Sequence, residues 1–279
     1  MNIYFGYRAG KYNFERAMNL FYPVNERSKA CWVFDALKQA YPDCNKIENY
    51  QWDGDPSAFW GLVGDSFNLI KRHQRQGVPF LFTDMPYWAR FMPDRSRDQC
   101  YWRTITNALH CNKILDVPGD RFQSLNVAVR DWQTRGSHIL VCPSSVTMER
   151  FYGEDNWTER TVETLRKYTD RPIRVRPKPR NFVTSGPAAA IIALEDDLKD
   201  AHAIVTLASI SAVDAVTYGI PSFASKFSPA APVSELDLSK IEKPRRPDRT
   251  AWLNTLAYHQ YSEQEIRDGL LQNIIGDMI

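Results

Sequence analysis

The sequence predicts an α/β protein in which parallel sheets carry crossover helices. Apolar runs typical of buried strands lie at 78–82, 138–142 and 203–207. Between these runs, apolar residues recur at the spacing of amphipathic helices, as in 29–40. Strands that alternate with helices in this way favour parallel sheets.

The 279 residues are enough for two modest domains. A break at Gly136 separates two strand–helix series. We therefore expect an N-terminal domain at 1–135 and a C-terminal domain at 136–250. Helices at 251–279 would close the chain and pack back on the first domain. In sheets of this kind, ligands bind at the carboxyl ends of the strands.

The elements of the first half follow from short patterns. Helix 29–40 carries its apolar residues on one face and ends before Pro42, and Gly77 ends the next helix. In chain order we predict a strand at 3–5, helices at 14–21, 29–40 and 59–75, a strand at 78–82, a long loop with a short helix at 85–110, and a connecting helix at 122–134.

The second half repeats the alternation. Its most informative segment, 203–223, reads as a buried strand, a serine-bearing turn, a short helix and a Gly-Ile-Pro stop before another strand. The other predicted elements are strands at 138–142 and 173–176 and helices at 158–168, 194–201, 252–260 and 263–275.

The composition excludes several classes of protein. A hydrophobic share of 43% and a charged share of 24% are those of a globular protein, and the net charge of +2 does not indicate a nucleic-acid binder. The five cysteines form no Cys-x-x-Cys pair, which argues against a disulfide framework or a structural zinc site and predicts a cytoplasmic protein. No apolar run approaches the roughly 20 residues of a membrane span.

The turn before residue 212 has the features of a phosphate seat. It places Ser209 and Ser211 at a helix start, where we expect free backbone N–H groups and a partial positive charge. Asp214 follows on the first turn, where a carboxylate would reach a ribose hydroxyl. Ser144 and Ser145 follow another strand, where they would touch a phosphate or sugar or cap a helix.

A single carboxylate, Asp84, follows the strand at 78–82. At the carboxyl end of a parallel strand it would serve as a general base that takes a proton from an acceptor hydroxyl. The alternative is a structural role, in which Asp84 caps the next segment or pairs with Arg90 or Arg95.

A basic run without an acid spans 171–180. Strand alternation puts Arg174 and Arg176 on one face, with Lys178 just beyond, so these cations would match a diphosphate. A solvated edge strand and a contact to a nucleic-acid backbone are the alternatives. Asp53-Gly54-Asp55 has the spacing of a metal-binding Asp-x-Asp motif, but Asp55-Pro56 is also a natural helix start. We expect no metal site.

The segment at 203–223 and the strand end at 81–84 resemble motifs of known protein families. Residues 203–223 resemble the nucleotide-sugar site of glycosyltransferases of the GT-B fold, although Asp214 stands where that family often has Glu. Leu81-Phe82-Thr83-Asp84 resembles the strand-end motif of phage DNA glucosyltransferases, which modify hydroxymethylpyrimidines. The resemblance implies two Rossmann-like domains with a cleft between them and an inverting, metal-independent sugar transfer.

On this reading each candidate residue has a role. Asp84 would be the catalytic base. The expected co-substrate is a nucleotide sugar, most simply a UDP-sugar, and no cofactor is expected. The residues that would bind it are Ser144, Ser145, Arg176, Lys178, Ser209, Ser211 and Asp214. The residues expected to contact the acceptor, three of them aromatic, are Arg8, Tyr87, Trp88 and Trp102.

The acceptor expected from this resemblance is double-stranded DNA of a phage in its host's cytoplasm, with a flipped pyrimidine as substrate. A surface polysaccharide or lipid-linked sugar is the competing acceptor. A non-catalytic nucleotide-binding protein and a nucleotide-sugar epimerase are the alternatives from other classes. The sequence leaves the sugar, the nucleotide and the number of subunits open.

Overall fold

The computed structural model describes residues 18–22, 29–48, 52–91, 96–176 and 193–271. The chain divides into two compact units, one with the described residues up to Thr83 and from Glu263, the other running from Asp84 to Ser262. The strand expected at 3–5, Arg8 and Lys178 lie outside the described residues. The domain boundaries expected near 135 and 250 stay predictions.

The described elements alternate as the sequence predicts. The strands are β1 (Asn19–Phe21), β2 (Asn45–Ile47), β3 (Ser57–Trp60), β4 (Phe80–Asp84), β5 (Tyr101–Thr106), β6 (His138–Val141), β7 (Ile173–Val175), β8 (Ala201–Thr206), β9 (Ser222–Ala224) and β10 (Gln260–Ser262). The helices are α1 (Lys29–Ala40), α2 (Ser66–Gln76), α3 (Asp120–Ser124), α4 (Val146–Tyr152), α5 (Trp157–Leu165), α6 (Leu194–Leu198), α7 (Ser211–Tyr218), α8 (Thr250–Ala257) and α9 (Glu263–Arg267). Short 3₁₀ helices lie at Arg97–Gln99, Ala231–Val233 and Leu238–Lys240.

The first unit is built on parallel strands in the order β2-β1-β3-β4. Helix α1 buries its apolar face, including Phe34 and Leu37, and packs against α9. Gly77, at a φ of 66°, ends α2 in the left-handed conformation that glycine adopts without strain.

The second unit contains a parallel sheet in the order β7-β6-β8-β9 and an antiparallel pair, β5 with β10. Ile139 and Val141 of β6 face one layer of the core with Leu165 of α5, whereas Leu140 faces the other layer with Ala215 of α7. Burial on both faces of the sheet explains why strands β6 and β8 appear in the sequence as continuous apolar runs. The two parallel sheets with their helices confirm the predicted fold class.

Gly219 shows why α7 stops where the sequence predicts. It has a φ of 94°, and a Cβ atom there would lie 2.1 Å from the carbonyl oxygen of Asp131. The amide of Gln133 in turn donates to the Gly219 carbonyl at 2.8 Å. The segment near 131 therefore runs directly against this turn, and only glycine leaves room for it.

Several predicted elements are wrong. Residues 19–21 form β1 and not the end of a helix, because they pair with strands on both sides. The helix expected at 59–75 begins only at Ser66, since β3 occupies the central position between β1 and β4. The helix expected at 122–134 ends at Ser124, because the amides of Arg130 and Gln133 bond to the end of α7 and its cap.

Besides β2, two further strands were missed: β5 within the expected loop at 85–110 and β10 within the expected closing helices. They pair with each other, with Arg103 opposite Gln260. Helix α8 therefore ends at Ala257, and α9 is limited to Glu263–Arg267. Neither strand has an apolar run that would mark it in the sequence.

His73 in the first unit supports a prediction about acid stability. Its ring is fully buried and packs edge-on against Phe59 and Phe80. Burial lowers the pKa of His73 to about 4, and the Pro79 carbonyl, 3.2 Å from Nδ1, partly offsets this lowering. The stability that the neutral ring provides is present above the ordinary histidine pKa and is lost as the pH falls towards 4. The loss approaches about 3 kcal/mol, since each pKa unit corresponds to about 1.4 kcal/mol.

We expect His73→Asn, whose amide keeps a donor near Pro79 and does not titrate, to flatten this acid dependence. Urea unfolding at about pH 7 and about pH 4.5 measures it for both proteins. An equal loss of stability in the two proteins would show that His73 is not the group responsible.

Candidate functional site

The carboxyl edge of the sheet in the second unit brings two serine-bearing turns together. Because β6 and β8 are neighbours, the turn after β6 lies beside the turn after β8. The Ser144 hydroxyl accepts a hydrogen bond from the Ala208 amide at 3.1 Å, and the Thr206 hydroxyl donates to the Cys142 carbonyl at 2.6 Å. The sequence-predicted residues Ser144 and Ser209 therefore occupy one edge of the sheet.

The amides at the start of α7 do not point free into this edge. The Ser209 amide donates to Thr206 Oγ1 at 3.3 Å, and the Ser211 amide donates to Ser209 Oγ at 3.2 Å. The expectation of free N–H groups is wrong for these two residues, because nearby hydroxyls form local turns with them. The Ser211 hydroxyl donates to the Ser209 hydroxyl at 2.9 Å. Both serines are half-exposed at this turn. Their binding of a nucleotide stays a prediction.

Ser145 takes the structural role that the sequence left open. It is the N-cap of α4, and its hydroxyl accepts from the Met148 amide at 3.2 Å. Such a cap stabilises a helix by about 1 kcal/mol.

Of the three charged residues proposed for the nucleotide, Arg176 and Asp214 have protein partners, and Lys178 lies outside the described residues. Arg176 forms an ion pair with Asp197. Asp214 accepts two hydrogen bonds from Nη2 of Arg90, at 2.8 and 2.9 Å. Burial raises the pKa of Asp214, and the Arg90 guanidinium acts against that rise. Arg90 also donates to the Tyr87 carbonyl at 2.8 Å and so ties the segment after β4 to α7.

Asp84 lies at the end of β4 with its carboxylate partly occupied. Oδ1 accepts from the Met85 amide at 2.7 Å, and Oδ2 forms an ion pair with Nη2 of Arg103 at 3.1 Å. A carboxylate has about four lone-pair sites, so acceptor capacity remains. The side chain is 30% exposed, which leaves it open to a substrate. Among the described residues its ionic partner is Arg103 and not Arg90, and Arg95 lies outside them.

Arg103 and His110 are the site residues that sequence reasoning missed. The Arg103 side chain is only 2% exposed, and Nη1 approaches Nδ1 of His110 at 2.9 Å. Because arginine only donates, Nδ1 accepts, and the neutral ring carries its proton on Nε2. Burial, reinforced by the charge of Arg103, holds the pKa of His110 well below its ordinary value, so the imidazole is neutral.

The pair connects Asp84 to the serine-bearing edge. The backbone of Ala208 lies next to the His110 ring. Among the described residues, no atom forms a hydrogen bond of normal geometry with Nε2 of His110. Ala208 is the residue that bonds to Ser144 and precedes Ser209. A continuous path of contacts therefore runs from Asp84 through Arg103 and His110 to the turn before α7.

The aromatic side chains at this site are not the expected ones. Tyr87 and Trp102 are fully buried and Trp88 is 7% exposed, so these rings are part of the core and are not presented to an acceptor. The Tyr87 ring lies 5.5 Å from the Arg103 guanidinium. A half-exposed pair, Tyr152 and Phe227, stacks instead, with centroids 4.1 Å apart and an interplanar angle of 11°.

This stacked pair adjoins the polar residues. The charge of Arg103 acts on the Tyr152 hydroxyl, whose pKa is raised by burial. The Lys226 ammonium lies 5.2 Å from the centre of the Phe227 ring. The edge therefore offers aromatic faces, hydroxyls and a cation, a combination suited to a sugar or nucleotide.

No group of three or more His, Cys, Asp or Glu side chains comes together as a metal site among the described residues. Asp53 instead accepts from the Asn19 side chain at 2.8 Å and from the Asp55 amide at 2.9 Å. No helix in the described part of the chain has the length and apolar character to cross a bilayer.

A groove of about 800 Å³ lies at the opposite edge of the sheet, where β6 and β7 begin. Two of its charged residues, Arg171 and Glu242, form an ion pair with each other. We place the candidate site at the carboxyl edge, because the chemistry-bearing side chains converge there.

No protein-family model matches the sequence, and no curated protein sequence matches it. Several solved structures do match, among them two from Thermosulfurimonas dismutans KpsC. One is the beta Kdo 2,7 transferase, with a TM-score of 0.50, 12% identity, and coverage of 92% of this chain and 99% of that chain. The other is the beta Kdo 2,4 transferase, with a TM-score of 0.51, 12% identity, and coverage of 89% and 92%.

Neither structure is a DNA glucosyltransferase, so the resemblance of residues 81–84 to that family gains no support. At 12% identity the likeness concerns the fold alone. Nearly the whole of the chain thus shares the fold of these Kdo glycosyltransferases.

Proposed function

We propose that the chain is a glycosyltransferase that moves a sugar from a nucleotide-activated donor to a hydroxyl of a carbohydrate acceptor. The observation that carries the proposal is the position of Asp84. Its partly exposed carboxylate stands at the end of a strand and is connected through Arg103 and His110 to the serine-bearing turn. The fold likeness to two glycosyltransferases supports it.

The chemistry follows from these groups. Asp84 takes the proton of the acceptor hydroxyl as its oxygen attacks the anomeric carbon of the donor sugar. The bond to the leaving phosphate breaks on the opposite side, which inverts the anomeric centre. The Ser209 hydroxyl, which accepts from the Ser211 hydroxyl, donates to the phosphate, and the Tyr152–Phe227 pair provides a stacking face for the base or the sugar.

A carbohydrate acceptor fits the charges better than DNA does. The basic run at 171–180 would suit a DNA backbone, but Arg171 and Arg176 in it are paired with acids. Arg245, Arg246 and Arg249 donate to backbone carbonyls. Residues already used in this way contribute little to a phosphate-contacting surface.

A transfer assay with mass-spectrometric detection tests the proposal. The donors are UDP-sugars and activated Kdo, the sugar in the names of both structural neighbours, and the acceptors are oligosaccharides, lipid-linked glycans and hydroxymethylated duplex DNA. We expect a mass increase on a glycan acceptor, an inverted anomeric centre by NMR, and no steep loss of activity with salt.

Other outcomes would contradict the proposal. Transfer to DNA alone, falling steeply with salt, would reverse the choice of acceptor. Donor binding without any turnover would indicate the non-catalytic nucleotide-binding protein, and a changed sugar without an acceptor would indicate an epimerase.

A further inference from the structure

We propose that Arg103 and His110 are positioning residues that fix the Asp84 carboxylate relative to the Ala208–Ser209 turn. The proposal rests on the proposed function, because it assigns the geometry of the same site. Neither residue needs to touch the donor or the acceptor. Their role is to hold the base where the activated sugar is presented.

Arg103 is suited to this role by its burial and shape. With a side chain only 2% exposed, it directs Nη2 to Asp84 at 3.1 Å and Nη1 to His110 at 2.9 Å. The guanidinium is a rigid plane, so the directions of these two contacts are fixed relative to each other. The Tyr87 ring beside it and the Gln260 side chain, which accepts from the Tyr87 amide at 3.0 Å, hold the surrounding segment.

His110 completes the connection without adding charge. Its Nδ1 accepts from Arg103, and the neutral ring lies beside the Ala208 backbone. A protonated ring would place a second cation against Arg103 in a buried site, and that arrangement is strongly unfavourable. The ring therefore orients the arginine through Nδ1 and borders the turn that carries Ser209.

The consequence is a coupling between base position and turnover. A misplacement of about 1 Å in a reacting group lowers the rate about 100-fold. Removing the acceptor at His110 takes away this contact of Nη1 of Arg103 and so loosens Asp84. The loss then appears in kcat, while the binding of the donor is preserved.

Three variants of buried histidines separate positioning from folding. His110→Leu removes the acceptor, and His110→Asn restores an oxygen close to the position of Nδ1. His202→Leu is the matched control, because His202 is a buried histidine of the same unit that bonds to the Ile241 carbonyl at 2.9 Å, away from Asp84.

For His110→Leu we expect kcat to fall about 10- to 100-fold with the donor KM within about threefold. His110→Asn should recover most of this loss, and His202→Leu should lower the melting temperature without a selective fall in kcat. Unchanged kcat in His110→Leu, or equal losses in His110→Leu and His110→Asn, would overturn the proposal.

A second measurement does not depend on activity. ¹⁵N NMR of the imidazole reports which nitrogen carries the proton, and the His110 signals are identified by their absence from His110→Asn. We expect the Nε2–H form in the wild type and loss of that single form in Arg103→Leu. A proton on Nδ1 of His110 would overturn the proposed contact with Arg103. If the Nε2–H form is found but the protein transfers no sugar, only the proposed function is contradicted.

Discussion

Asp84→Asn is expected to lower kcat about 10²- to 10⁴-fold, the range for loss of a general base, while the donor Kd changes by less than about threefold. The amide has the shape of the carboxylate but cannot take the acceptor proton. Rapid-quench turnover and isothermal titration measure the two quantities. Asp120→Asn is the matched control, because Asp120 is an exposed carboxylate that accepts from Tyr258 at 2.8 Å.

The stability of Asp84→Asn has to be measured beside its activity. Arg103 is buried and loses its acidic partner in this variant, and an uncompensated buried charge destabilises a protein. The rate comparison is therefore made below the melting transition of the variant. Turnover equal to that of the wild type would show that Asp84 is not the base.

The second large effect is expected at the Arg90–Asp214 pair. Arg90→Met leaves Asp214 without the partner that binds both its oxygens. The side chains are 31% and 24% exposed, so we expect a smaller loss than the roughly 3–5 kcal/mol of a fully buried pair, about 2 kcal/mol in the free energy of unfolding. Arg90→Met combined with Asp214→Leu should recover most of the loss, because no unpaired charge remains.

The pH dependence of the stability loss in Arg90→Met tests whether that loss comes from the charge of Asp214. Burial raises the pKa of Asp214, and this variant removes the guanidinium that opposes the rise. The folded protein then holds the carboxyl proton to higher pH than the unfolded chain, so stability is lost as the pH rises through the folded pKa. The deficit should be largest near about pH 8 and shrink towards about pH 4. A deficit that grows on acidification would contradict this account.

The parts of the fold that sequence predicted best are those where one local pattern determines the structure. Strands β6 and β8 are buried on both faces, so they appear as apolar runs, and Gly219 marks the end of α7 by its conformation. Strand β5 was missed because Arg103 in its middle breaks any apolar pattern, although its pairing with β10 buries that arginine.

The site was predictable only in part for a related reason. Asp84 and the serines follow recognisable strands, and this position helped to make them candidates. The partners of these residues come from distant parts of the chain: Arg103 for Asp84, Arg90 for Asp214 and Asp197 for Arg176. No local spacing indicates such pairs. The Ser211 amide illustrates the converse, because the hydroxyl that occupies it belongs to Ser209, one of the serines that suggested a phosphate seat.

A crystal structure of Asp84→Asn with an activated sugar tests the central claim most directly. We predict the donor phosphate against the hydroxyls of Ser209 and Ser211, with the anomeric carbon facing residue 84. A donor seated away from the carboxyl ends of β6 and β8, or a residue 84 that points away from the sugar, would contradict the account.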